Sequence, residues 1–141
     1  MDWEECCNKR IAKSVKPDLE MIKSLIKSSE NKFLSENQLK MDDITAISKI
    51  SLAYDSLREL LEALALKRGY KIYNHECYTA FLKEIIEESD KGEDYDEIRK
   101  TRNDINYYGK GISLGEARKV IERIKNLRSF VLGLLKNNKN Q

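Results

Sequence analysis

In 141 residues the chain has a single proline, Pro17, only six glycines and one histidine, His75. Turns draw heavily on proline and glycine, so this scarcity argues against a sheet-rich fold. Cysteine is also sparse. The three cysteines are an odd number, Cys6 and Cys7 are adjacent, and Cys77 falls at a helical core position. A closed disulfide framework is therefore not expected, and one histidine besides gives no spacing for structural zinc. Long apolar runs are missing too. The longest, at residues 130 to 135, is far short of a membrane span, and the opening MDWEECC is acidic with no apolar signal core. These absences lead to the expectation of a cytoplasmic protein without membrane, metal or cofactor.

Charge is plentiful: 35% of residues are Asp, Glu, Lys or Arg, yet the net charge is only +2. Interspersed signs suit helices with solvated outer faces. The distribution is uneven, however. Eight acids stand against Lys91 between residues 84 and 98, and nine Lys or Arg stand against three acids between 99 and 128. The reversal has two readings: two oppositely charged helix faces, or a basic surface able to hold RNA phosphates.

Hydrophobic spacing is helical almost throughout. Trp3, Cys7, Ile11 and Val15 recur every four residues before Pro17. A second segment begins at Asp18, carries Leu19, Ile22 and Ile26, and fades in SENQLKMDD. The strongest stripe is Ile44, Ile47, Ile50, Tyr54, Leu57, Leu61 and Leu64, stopped by Gly69. GYKIYN reads as a connector to Asn74, an N-cap for a helix burying Cys77, Phe81 and Ile85. SDKGED reads as a turn, followed by a helix from Tyr95 to Tyr108 that Gly109 and Gly111 close. Ser113 then caps a last helix with Ala117, Val120, Ile121, Ile124, Leu127, Val131 and Leu134 inward. No strand is evident. The expectation is one all-α domain over residues 1 to 136, an antiparallel up-and-down bundle of five or six helices, with 137 to 141 as a disordered tail.

The densest chemistry lies in RKTRNDINYYGK, residues 99 to 110. On a helix, Arg99, Arg102 and Asn106 occupy neighbouring turns, so one polar stripe holds Arg102, Asn103 and Asn106 with Tyr107 at its edge. Arginine presents a planar fork of donors suited to phosphate oxygens. Asparagine donates and accepts, and tyrosine stacks or hydrogen-bonds. Such a set suits a nucleotide or an RNA backbone. It equally suits a helix pair locked by arginine–carboxylate contacts.

RNDINYYG resembles the signature of the HEPN superfamily, helical nucleotide-binding domains marked by Arg, a polar follower, and a His four to six positions after the Arg. Upstream, SLAYDSLRELLEALALKRGYKIYNHECYTAFLKE resembles the central helix hairpin of archaeal and bacterial members, so the likeness spans roughly residues 44 to 130. It implies a HEPN-like bundle, usually a homodimer whose Arg/His helices meet in a shared cleft. Many such domains are metal-independent endoribonucleases that activate the ribose 2′-hydroxyl. Some are toxins paired with nucleotidyltransferase antitoxins, and others are binding modules. Carried over residue by residue, Arg102 matches the Arg and Asn103 the polar follower. Tyr107 stands where many members place His, and a phenol is a poor general base near neutral pH. Arg102 and Tyr107 are thus the candidate catalytic pair, with Asn103, Asn106, Arg99, Tyr108 and Asp55 as candidate substrate-binding residues.

Two further residues carry alternatives. His75, next to the expected cap, is either a surface or capping residue or approaches the Arg102 cleft across the bundle. Asp55 adjoins the buried stripe, where an unpaired carboxylate is costly, so it belongs either to a charged outer face or to a pair with Arg102. Tyr70, Tyr73 and Tyr78 read as packing residues with wet hydroxyls. The functional expectation is RNA or nucleotide binding at a dimeric Arg/Asn/Tyr cleft, with ribonuclease activity weakened or lost. The alternatives are a non-catalytic partner of a minimal nucleotidyltransferase and a purely structural helical dimer.

Overall fold

The structure, a computed structural model, describes residues 1–108 and 111–137, the side chains of 106–108 excepted. Among these residues it holds six helices and one two-stranded sheet. The order is α1 (Trp3–Asn8), β1 (Ala12–Ser14), α2 (Leu19–Gln38), α3 (Ala46–Lys67), β2 (Tyr70–Ile72), α4 (Glu76–Ala80), α5 (Ser89–Tyr108) and α6 (Leu114–Lys136). Helix α4 runs on as a π-helical turn over Phe81–Ile85. The fold is an all-helical bundle with one small sheet. No helix among the described residues is long and apolar enough to cross a membrane.

Helix α3 is the axis. From Ala53 to Leu66 nearly every residue is buried, with Tyr54, Leu57, Leu60, Leu61 and Leu64 at the centre. Ile124, Leu127 and Val131 of α6 and Phe81, Leu82, Tyr95 and Ile98 complete the core. The expected stripe holds from Ile50 onward. Ile44 and Ile47 do not belong to it: Ile44 precedes the helix and both are exposed.

Burying a helix on all sides requires every polar group on it to find a partner. Ser29 of α2 and Ser56 of α3 exchange hydroxyl-to-carbonyl hydrogen bonds at 2.6 and 2.9 Å. Arg128 of α6 donates to Ser56 Oγ at 2.7 Å and pairs with Glu30 at 3.0 Å. Lys49 pairs with Glu36 at 3.3 Å and donates to the Glu36 and Leu39 carbonyls. Helix α2 therefore continues to Gln38 instead of fading: its inward positions Ser29 and Glu36 are polar but partnered. Arg128 is likewise a core residue, which removes it from the expected basic surface.

The first fifteen residues depart from the sequence reading. Helix α1 ends after one and a half turns, and Arg10 takes a left-handed φ of 59° that sends the chain into β1. β1 pairs antiparallel with β2, with Ala12 opposite Ile72 and Ser14 opposite Tyr70. Cys6, not Cys7, points inward, and it forms a disulfide with Cys77. Both the absence of strands and the absence of a disulfide are thus corrected. Strands of three residues are too short to show a period, and their partners lie 56 to 60 residues apart.

Strict up-and-down alternation stops at α3. The pairs Ser56–Arg128 and Lys67–Leu135 ascend together, so α3 and α6 run in the same direction. β2 makes the return stroke. Seven residues from Arg68 to Asn74 lead back beside α3, where Lys71 pairs with Glu62 and His75 meets Tyr54. Gly69, at φ +88°, begins that reversal.

The SDKGED segment is helix, not turn. The reversal sits at Glu87, with φ 63°, and α5 starts at Ser89. Gly92 lies within that helix because a Cβ there would come 2.5 Å from Lys83 Cγ and 3.1 Å from the Thr79 carbonyl oxygen. Ser113 and Glu116 form a reciprocal capping box at the start of α6, as expected. Gly109 and residues 138 to 141 of the expected tail lie outside the described residues.

The disulfide gives a direct test. In denaturant without reductant, an alkylating reagent should label one thiol per chain, Cys7, and three after reduction. Removing the bridge as Cys6→Ser should lower stability by roughly 2–4 kcal/mol, since it closes a long loop. Urea melts of the two forms measure this.

Candidate functional site

Tyr54 is the residue on which the candidate site is built. Its position on α3 places its ring at the meeting point of α3, α4 and α5, fully buried. The Arg102 guanidinium lies over the ring face, 4.9 Å from its centroid. At the other end, the Tyr54 hydroxyl is 3.1 Å from His75 Nδ1 and 3.0 Å from the Tyr95 hydroxyl. Tyr78 packs edge-on against Tyr95, with centroids 6.2 Å apart. His75 stands at the N-cap position of α4, and its ring also packs against Tyr54, the same residue that carries Arg102. Asn74 caps beside it, accepting from the Glu76 N–H at 2.7 Å.

The direction of the hydroxyl chain follows from burial. Tyr95 is completely buried, and among the described residues its hydroxyl meets only that of Tyr54. If Tyr54 donated to Tyr95, the Tyr95 proton would have no acceptor, at a cost of about 1–3 kcal/mol. Tyr95 therefore donates to Tyr54, and Tyr54 donates to the Nδ1 lone pair of His75. The neutral imidazole then carries its proton on Nε2. Burial raises both phenols above the ordinary tyrosine value, Tyr95 most strongly, so neither ionises near neutral pH.

Burial also lowers the pKa of His75, and the Arg58, Arg102 and Arg99 charges add to that effect, opposed by Asp55. His75 is thus neutral at pH 7. Arg102, by contrast, makes no ion pair among the described residues, and its Nε is enclosed without a hydrogen-bond partner. The residue is only half-buried, so a cation held over an aromatic face without an ion pair is suited to an incoming anion.

Other candidates are already engaged. Arg99 pairs with Asp96 at 2.9 Å, Lys100 pairs with the same carboxylate at 3.0 Å, and Thr79 Oγ1 donates to it at 3.2 Å. Burial opposes charging Asp96, but the hydrogen bonds from Arg99 and Lys100 outweigh it and hold the carboxyl below its usual value. This cluster lines a cleft of about 510 Å³ between α4 and α5 that neither His75 nor Arg102 reaches. Asp55 forms no ion pair with Arg102. It is only half-buried, so water solvates it and the cost that would demand a partner does not arise. Asn103 is half-buried one residue along from Arg102. Asn106, Tyr107 and Tyr108 lie in the last turn of α5, and their side chains are outside the described residues.

Part of the charge reversal along the sequence is internal complement. Arg123 of α6 pairs with Asp94 at 3.4 Å and Glu97 at 2.7 Å across to α5. That favours the oppositely charged helix faces over an extended basic surface. Among the described residues, no group of three or more His, Cys, Asp or Glu is placed to hold a metal ion. Comparisons with family models, curated proteins and solved structures give no match.

Sequence reasoning did not reach Tyr54 and Tyr95 as site residues. Tyr54 reads as core and Tyr95 only as the start of a helix; both are core, and their second role comes from where their hydroxyls end. The lone histidine within two residues of a buried cysteine was the available signal.

A lowered histidine pKa couples to folding. The unfolded chain binds a proton near pH 6.5, its ordinary value, whereas the folded chain resists until lower pH. The stabilisation is complete above about pH 6.5 and erodes as pH falls toward the folded value. Urea midpoints should therefore climb between about pH 5 and pH 7. In His75→Gln that increment should be missing, as fluorescence melts at several pH values would read.

Proposed function

We propose that this chain is a HEPN-like domain that binds RNA or a nucleotide at the Arg102 site, working as a homodimer and holding phosphate without efficient cleavage. The observation that carries it is the half-buried Arg102 guanidinium, held over the Tyr54 ring with no ion pair among the described residues. A structural arginine in this bundle behaves differently: Arg128 is buried, with Nε donating to Ser56 and Nη2 to Ser29 and Glu30. Asn103 supplies a neutral donor and acceptor beside Arg102.

Binding is favoured over turnover because the motif position held by His in many relatives is Tyr107, a group that stays protonated near neutral pH. In this reading the ligand's phosphate is the missing partner of Arg102, and the two α5 helices of a dimer supply a pair of such sites. A nucleotidyltransferase antitoxin as cognate partner belongs to the same reading only if the Arg102 face is the one it covers. A cytoplasmic setting requires the Cys6–Cys77 bridge to persist against cellular thiols, which typically happens only in intracellular proteins of extreme thermophiles.

Fluorescence anisotropy with a labelled single-stranded RNA tests the reading. Arg102→Ala should weaken binding about 10- to 100-fold, the loss expected for one charged hydrogen-bonding group. Affinity should also fall linearly with salt on logarithmic axes, with a small slope because few phosphates are engaged. Salt-insensitive binding, or equal affinity in Arg102→Ala, would remove Arg102 from the site.

Light scattering tests the assembly. At tens of micromolar the particle should have twice the chain mass, and a monomer at that concentration would exclude the shared cleft.

A further inference from the structure

His75 is the one histidine of the chain, and it lies outside RNDINYYG. Three observations converge on it. Its ring packs on Tyr54 at 5.8 Å between centroids, and Tyr54 also carries the Arg102 guanidinium. Its Nδ1 accepts from the Tyr54 hydroxyl, which in turn accepts from Tyr95. Its Nε2 makes no hydrogen bond among the described residues, and the residue is only half-buried. One nitrogen is fixed from inside the core, and the other is left open at the edge.

We propose that His75 is a second phosphate-recognition group of the Arg102 site, presenting Nε2–H as a neutral donor whose tautomer is imposed by the Tyr95-to-Tyr54-to-His75 hydroxyl chain. The proposal rests on the phosphate-binding reading and assigns it a donor from outside helix α5. Arg102 supplies the charge and His75 a directional hydrogen bond. The arrangement also withholds a base. For Nε2 to accept a proton, the ring proton must first move to Nδ1, which forces Tyr54 to donate to Tyr95 and strands the Tyr95 proton in the core. The charges nearest His75, Arg58 and Asp55 on α3 and Arg99 and Arg102 on α5, are cationic by three to one and oppose imidazolium formation. The site therefore recognises phosphate without a group poised to deprotonate a ribose hydroxyl.

A single histidine makes the experiment unambiguous, because every imidazole signal belongs to His75. Long-range proton–nitrogen NMR at neutral pH should show Nε2 protonated and Nδ1 as a hydrogen-bond acceptor. Tyr54→Phe should relax the ring toward the tautomer mixture of free imidazole. A wild-type ring protonated on Nδ1, or fully averaged, would overturn the proposal.

Binding supplies the second arm, with a fluorescein-labelled uridine oligoribonucleotide as probe. His75→Gln places an amide N–H near the Nε2 position and should retain affinity within about threefold. His75→Leu keeps the volume but no donor and should lose at least about fivefold. Circular dichroism checks that each variant is folded. If wild type binds and Arg102→Ala does not, but His75→Leu binds as wild type, the Arg102 reading survives and the role of His75 is refuted. If wild type does not bind, both fall together. Efficient EDTA-resistant cleavage abolished by His75→Gln would show a base where a donor is proposed, and would also overturn it.

Discussion

Everything in this bundle answers to the burial of α3. A helix buried on nearly all sides cannot leave an inward hydroxyl, ammonium or carboxylate without a partner, and the buried ones have drawn neighbours into place. Ser56 fixes the heights of α2 and α6 through Ser29 and Arg128. Lys49 holds the C-terminal end of α2 by its carbonyls and by Glu36. Tyr54 does the same for α4 and α5 through His75 and Tyr95. The candidate site is one more solution to this constraint, placed where the satisfied chain reaches the surface.

Most of the fold is legible in the sequence because helices announce themselves locally. Ile50, Tyr54, Leu57, Leu61 and Leu64 form a period, Gly69 stops it, and Ser113 with Glu116 opens α6. What is not legible depends on partners far away. Whether Cys6 or Cys7 turns inward is decided by Cys77, and whether residues 12 to 14 are extended is decided by residues 70 to 72. Ser29 and Glu36 look like solvated positions until the polar groups of α3 are placed opposite them. Gly92 looks like a turn residue, yet it marks the close approach of α4 and its π-helical turn to α5.

The candidate site divides in the same way. Arg102 and Asn103 are visible in sequence because they are neighbours on one helix. The union of Arg102 with His75 is not, since it requires the chain to double back along α3 after Gly69. A simple helix-to-helix turn would start the next helix at the far end of α3, about 20 Å from Tyr54 at 1.5 Å per residue. The return stroke through β2 brings residue 75 level with residue 54 instead. The disulfide two residues further on then anchors that end of α4 to α1.

Trp3, the chain's one tryptophan, packs edge-on against Tyr70 at 5.1 Å and at a tilt against Phe81 at 5.9 Å, and its backbone N–H donates to Glu84. Its fluorescence thus belongs to the N-terminal segment and the β2–α4 surface beneath it, whereas the far-ultraviolet dichroism comes mostly from α2, α3, α5 and α6. The two signals watch different parts of the molecule. Where they change together, the segment and the bundle unfold as one unit; where emission moves first, the covering segment has lifted from an intact bundle.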